Sequence, residues 1–81
     1  MTKTERLNRR EANATNTLFF IKQYWKSHGY GPGYRDIEAG VNISAGSATI
    51  SVDTLVERGL ISVEPGVARS IRPTPRKKGS N

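Results

Sequence analysis

Glycine and proline interrupt this chain so often that only short elements fit between them. Gly29, Gly31, Pro32 and Gly33 fall close together, Gly40 and Gly59 follow, and Pro65-Gly66, Pro73 and Pro75 punctuate the end. Glycine inside a helix or strand is unfavourable by roughly 0.5–1 kcal/mol relative to alanine, and proline breaks either element. One longer segment is left before Gly29, two short ones lie between Gly33 and Gly59, and two strand-sized stretches flank Pro65-Gly66. No apolar run approaches the roughly 18 residues that span a membrane. The basic, polar amino terminus lacks the apolar stretch of a secretory signal.

The segments carry distinct periodicities. Leu18, Ile21 and Trp25 recur at helical spacing, and Phe19, Phe20 and Tyr24 widen the apolar band. With Asn13 or Thr15 as cap, this predicts an amphipathic helix running to about His28. Its aromatic stripe reads as core in preference to a stacking platform for bases. A second helix is expected over residues 34–40, with Ile37 and Val41 turned inward, and Val41-Asn42-Ile43 as the turn. Ser44 can cap a third helix over residues 45–58 by accepting an orphan backbone N–H. Ala48, Val52, Leu55 and Val56 form its expected buried stripe, leaving Gly46, Ser47, Thr49, Ile50 and Ser51 on or beside the opposite face. Gly59 suits the left-handed position past the helix end. Residues 60–64 and 67–72 read as strands joined at Pro65-Gly66, and Pro73 is expected to end the pairing.

Charge is distributed unevenly along this order. The chain has a net charge of +6. The excess sits at the ends: Lys3, Arg6, Arg9 and Arg10 at one, and Arg69, Arg72, Arg76, Lys77 and Lys78 at the other. A nearly neutral middle between basic ends suits a polyanion gripped by arm and wing. The alternative, basic tails that serve solubility alone, stays open.

Several chemistries lack their residues. There is no cysteine and His28 is the sole histidine, so disulfides and thiolate metal sites are excluded and a reducing cytoplasm is the default compartment. The acidic residues show no ligand pattern. No serine–histidine–acid or serine–lysine arrangement has supporting context, and no glycine-rich phosphate loop precedes a helix. The expectation is a non-enzyme with no cofactor and no metal. His28 reads as a helix-end residue favoured there by the dipole.

The expected fold class is α+β, mainly α: a winged helix-turn-helix, three helices followed by a two-stranded β-hairpin wing. Residues 1–13 are read as a flexible basic arm, residues 14–73 as the domain and residues 74–81 as a basic disordered tail. In this order of elements the third helix enters the major groove and the hairpin lies on the backbone or the minor groove.

Three blocks then carry a specific likeness. Gly29-Tyr30-Gly31-Pro32-Gly33-Tyr34-Arg35-Asp36-Ile37 is similar to the first connection of the LexA repressor family. Leu55-Val56-Glu57-Arg58-Gly59-Leu60-Ile61 is similar to the end of its recognition helix and first strand. Pro65-Gly66-Val67-Ala68-Arg69-Ser70-Ile71-Arg72 resembles its wing. The blocks keep the family's order over about residues 14–73. Gly31 and Gly33 stand where the family has proline and threonine, which weakens the expected cap of the second helix. The family's serine–lysine self-cleavage domain, and the pairing it provides, are expected to be absent.

The resemblance implies a sequence-specific double-stranded DNA-binding regulator, a repressor, that works in the cytoplasm of a bacterium, at its nucleoid, or as a phage protein in its host. It places Ser44, Gly46, Ser47, Thr49 and Ile50 toward DNA, and Arg35, Arg69 and Arg72 on phosphates. Each has a plainer alternative where the residues allow one. Ser44 suits a simple helix cap, Ile50 the edge of the core, and Arg35 an ion pair with Glu38. A homodimer formed on DNA is the expected assembly. The competing reading is an adaptor that binds RNA polymerase or a host regulator.

Overall fold

The computed structural model describes residues 3–74, with side chains from Asn8 onward. Three helices, α1 (Lys3–His28), α2 (Tyr34–Val41) and α3 (Ala45–Glu57), are followed by two short strands, β1 (Ile61–Ser62) and β2 (Arg72–Pro73). The strands pair antiparallel, Ile61 opposite Pro73 and Ser62 opposite Arg72. This is the expected winged helix-turn-helix, mainly helical. The tail expected over residues 74–81 lies, apart from Thr74, outside the described residues.

The core is a single cluster of Ala14, Ile21, Ile37, Ala48, Val52, Leu55, Ile61 and Ile71. It draws on every helix and on the wing. Residues 14, 17 and 21 put one stripe of α1 against the other two helices, and Ile21 and Thr17 are wholly buried. Trp25 is only partly buried, and Phe19 stays 64% exposed. The expected aromatic band is therefore split, because the buried face of α1 is centred a residue away from it.

Helix α1 begins at Lys3, well before the expected cap at Asn13 or Thr15. The polar segment lacks apolar periodicity, but it holds a tertiary contact. Arg58, the C-cap of α3, donates to both carboxylate oxygens of Glu11, through Nη1 at 3.1 Å and through Nη2. That bidentate hydrogen bond, with the charge of Arg58 behind it, holds the Glu11 carboxyl below its usual range.

The helix-turn-helix is closed by local chemistry. Asn42 adopts a left-handed backbone at φ 64° and ends α2, its N–H and that of Ile43 both reaching the Glu38 carbonyl. Asparagine tolerates this region better than most residues. Ser44 then caps α3 as expected, its hydroxyl accepting the Ser47 N–H at 3.1 Å. Along α3 the buried residues are Ala48, Ser51, Val52 and Leu55, while Val56 is exposed. The stripe is thus rotated from the expected one, with Ser51 in the place given to Val56. Gly59 has φ 73°, the left-handed geometry expected past the helix end.

The strands are shorter than expected; β1 lies within its expected span, and β2 is displaced toward the end of the chain. Thr74 N–H donates to the Leu60 carbonyl at 3.0 Å, while the Leu60 N–H donates to Leu55, so a single bond joins Leu60 and Thr74 at a hydrogen-bonding position of the ladder. The next pair, Ile61 with Pro73, is then a non-hydrogen-bonded one, where proline's missing N–H leaves no gap in the ladder. Pro73 therefore lies in the sheet instead of ending it. Between the strands, the Ser70 hydroxyl stands in for a ladder: it accepts the Glu64 N–H at 3.0 Å and donates to the Glu64 carbonyl at 3.1 Å.

Candidate nucleic-acid interface

The candidate interface is built from the amino-terminal half of α3, the start of α2 and the wing. Ser44, Gly46, Thr49 and Ile50 are exposed and Ser47 is partly so. Ile50, on the side opposite Ala48 and Val52, is 43% exposed, so it is no buried core residue. Space around Gly46 is open on the side where a Cβ would point. The Thr49 hydroxyl donates to the Ala45 carbonyl at 3.1 Å, which leaves its lone pairs outward. The first turn of α3 holds no acid, whereas Asp53 and Glu57 occupy the later turns. A helix of small, uncharged residues at one end and carboxylates at the other has a polarity. Only its amino-terminal end can approach a polyanion without repulsion.

Ser44 is shown as a cap by its bond to Ser47. Its hydroxyl hydrogen is not used there, so capping leaves a donor for a further contact. Arg35 lies exposed in the first turn of α2 and makes no ion pair with Glu38 among the described residues. Its neighbour Asp36 accepts the Gly33 N–H at 2.9 Å, half of a capping box whose other half glycine cannot provide.

The wing is held by aromatic residues that sequence reasoning did not assign to the site. Trp25 Nε1 donates to the Ile71 carbonyl at 2.7 Å, and Gly31 N–H donates to the Arg69 carbonyl at 3.3 Å. Arg69 has a left-handed backbone at φ 58°. Its guanidinium lies 4.9 Å from the Tyr30 ring centroid and donates to the Tyr24 hydroxyl at 3.2 Å, with Asp36 at 3.8 Å. The hydrogen bond to Tyr24, with nearby negative charge, holds the arginine even further toward its charged form. Arg72 lies 5.8 Å from the Trp25 ring centroid.

His28 completes this cluster. Its ring stacks on Tyr24 with centroids 4.0 Å apart, and its Nδ1 donates to the Tyr24 carbonyl at 3.1 Å. Stacking an arginine on an aromatic ring uses the face of the guanidinium and leaves most of its in-plane N–H donors for an anion. Arg69 and the Asp36 carboxylate are brought together beside the wing, and Arg35 precedes Asp36 in the first turn of α2. The aromatic anchors had a sequence signal, since Tyr24, Trp25 and His28 share one end of α1, but only the fold brings Arg69 back to them over 45 residues.

No helix among the described residues is long and apolar enough to cross a membrane. No curated protein sequence matches the chain. A family model does: that of the LexA DNA binding domain, over residues 5–70.

Proposed function

We propose, from the premise that this chain belongs to the LexA DNA-binding domain family, that it recognises one duplex sequence and represses transcription there. The family makes it a DNA-binding regulator of the winged-helix type, a non-catalytic class of domain. The observation that carries the finer reading is the exposed, acid-free amino-terminal half of α3, with Ser44, Gly46, Ser47, Thr49 and Ile50. Small residues let the helix backbone come close to base edges. Serine and threonine hydroxyls can bond several bases, and Ile50 offers an apolar contact to a thymine methyl. Arg35, Arg69 and Arg72 position the domain on phosphates and carry no base information themselves.

Repression then follows from occupancy: a domain seated in a promoter groove excludes other proteins from it. Such a role belongs at the nucleoid of a bacterial cytoplasm, whether the gene is the cell's own or a phage's. One helix reads few base pairs, so two copies on half-sites about one helical turn apart fit the need for discrimination.

Selection of bound duplexes from a random pool, using the full chain, tests the reading. A consensus with two-fold symmetry is expected, and a variant with Ile50→Ser should lose preference at one base pair while keeping the rest. A reporter carrying the selected site in its promoter should fall in expression. A pool that shows no enrichment overturns sequence-specific recognition, and an unchanged reporter overturns repression.

A further inference from the structure

The face of α1 turned away from the core carries a phenylalanine that lies outside the core cluster of the described residues. Phe19 is 64% exposed, on a helix whose Ala14, Thr17 and Ile21 are buried. At 3.6 residues per turn, Ile21 and Thr17 each lie about 200° round the helix from Phe19, whereas Lys22 and Lys26 lie within about 60° of it. Thr15, Asn16, Lys22, Gln23 and Lys26, the exposed residues around it, include two cations and no acid.

Beside Phe19 runs a groove of about 310 Å³ lined by Asn16, Phe19, Phe20, Gln23, Gly40 and Val41. Gly40 makes it possible, since a Cβ there would lie 2.2 Å from the Phe20 ring. That ring can lie against the last turn of α2 only because Gly40 has no side chain. Phe20 forms the wall and Phe19 the rim.

The Phe19 side chain points away from the exposed face of α3. The buried stripe of α1 packs on α3, and Ile50 lies on the far side of α3 from its own buried stripe. Phe19 and Ile50 are therefore directed away from each other, while the groove beside Phe19 ends at Val41, three residues before the α3 cap Ser44. A second copy is a poor occupant, because pairing this face with itself would bring together the Lys22 and Lys26 ammonium groups of both copies with no carboxylate.

We propose that the Phe19 face docks an acidic amphipathic helix of another protein. An apolar side chain of that helix fills the groove beside Phe19. Carboxylates one turn apart meet Lys22 and Lys26, whose i, i+4 spacing gives about 6 Å between the stems. The domain thereby holds a partner on α1 and the last turn of α2.

The test uses the free full chain, so its outcome does not depend on the DNA reading. The probe is a displayed library of helical peptides, with surface positions varied among Asp, Glu, Lys and Ser and apolar positions among Ala, Leu and Phe. Enrichment of peptides with acids one turn apart is expected. Phe19→Ser should weaken the selected peptide about tenfold or more, as removal of an aromatic anchor does. Lys22→Gln with Lys26→Gln should weaken it comparably and remove most of its salt dependence. Both variants should keep the parent's thermal unfolding, since these side chains are exposed, and Phe19→Ser, which changes no charge, should also keep its duplex affinity.

Four results would overturn the proposal. They are enrichment of peptides without acids, binding that survives Phe19→Ser, self-association of the parent that Phe19→Ser abolishes, or a fall in duplex affinity in that variant. The third would assign the face to a second copy and the fourth to DNA.

Discussion

The substitution Gly31→Ala tests whether the wing is seated as described. The Gly31 backbone is ordinary, so the test is purely steric. A Cβ at this position would lie 2.0 Å from the Ile71 carbonyl oxygen and 3.0 Å from that of Arg69. Ordinary contact begins at 3.4 Å, so the wing strand must retreat by about 1.4 Å. The Ile71 carbonyl is also the acceptor for Trp25 Nε1 at 2.7 Å, and that bond cannot survive such a shift. Overpacking of this kind costs about 1–3 kcal/mol, and release of the wing instead forfeits two hydrogen bonds of about 0.5–1.5 kcal/mol each. Either route destabilises the domain by about 2 kcal/mol. For a domain of this size that lowers the midpoint of thermal unfolding by roughly 8–16 °C.

Trp25 is the sole tryptophan, so its emission reports the seating of the wing directly. In urea titrations Gly31→Ala should show a red-shifted native emission and a lower midpoint. Its affinity should fall for all duplexes alike, with a salt slope reduced by about one for each phosphate that the displaced wing no longer reaches. Gly29→Ala is the control. Gly29 has φ 79° and open space around a would-be Cβ, so alanine there should cost about 1–2 kcal/mol of backbone strain and leave the native emission unchanged. Native emission and midpoint of Gly31→Ala equal to the parent's would refute the seating of the wing.

Three further substitutions separate stability from recognition. Gly46→Ala should stabilise the domain by up to about 1 kcal/mol in thermal unfolding, because its Cβ meets open space in a helix, yet weaken operator binding several-fold by holding α3 off the base edges. Thr17 Oγ1 is buried without a hydrogen-bond partner among the described residues, so Thr17→Val should raise stability by about 1 kcal/mol in urea titration. The Glu11 carboxyl is held below its ordinary value of 4.5 by Arg58, so its contribution is complete above that pH and vanishes as pH falls through the depressed folded value. The difference in melting temperature between the parent and Glu11→Gln should therefore persist at neutral pH and shrink in acid; a pH-independent difference would assign it to something other than this ionisation.

What was legible in the sequence was whatever is decided within a few residues. Ser44 caps α3 because its own hydroxyl reaches Ser47, and Gly59 is left-handed because the helix must end there. Features decided across the chain were not legible. The start of α1 at Lys3 accompanies a pair between Glu11 and Arg58, 47 residues apart, and nothing local marks it. In α3, Ser51 and Val56 flank the Ala48, Val52 and Leu55 stripe at nearly equal angles on a helical projection. Hydropathy favours Val56, but Ser51 is the one covered, because the packing partner lies on that side. The second wing strand was displaced for a related reason. A left-handed Arg69 takes residues 67–71 out of extended pairing, and that backbone is held by Gly31, Tyr24 and Tyr30 from elsewhere in the fold.

The same interactions bear on how recognition is organised. Two strands of two residues cannot hold a hairpin in place by themselves, since an isolated pair even of longer strands is marginal in water. The wing therefore takes its position from α1 and the connector, through Trp25, Tyr24, Tyr30 and Gly31. Helix α3 takes its position from α1 as well, through the buried stripe around Ile21 and the Glu11–Arg58 pair. The distance between recognition helix and wing is thus fixed by α1, an element that contributes no residue to the proposed interface. A substitution that tilts α1 should alter phosphate contacts and base contacts together, whereas one confined to the wing should alter only the first. This difference makes α1 the ruler of the domain and predicts that affinity and specificity, read by titrating matched and mismatched duplexes, fall in parallel for changes at its buried face.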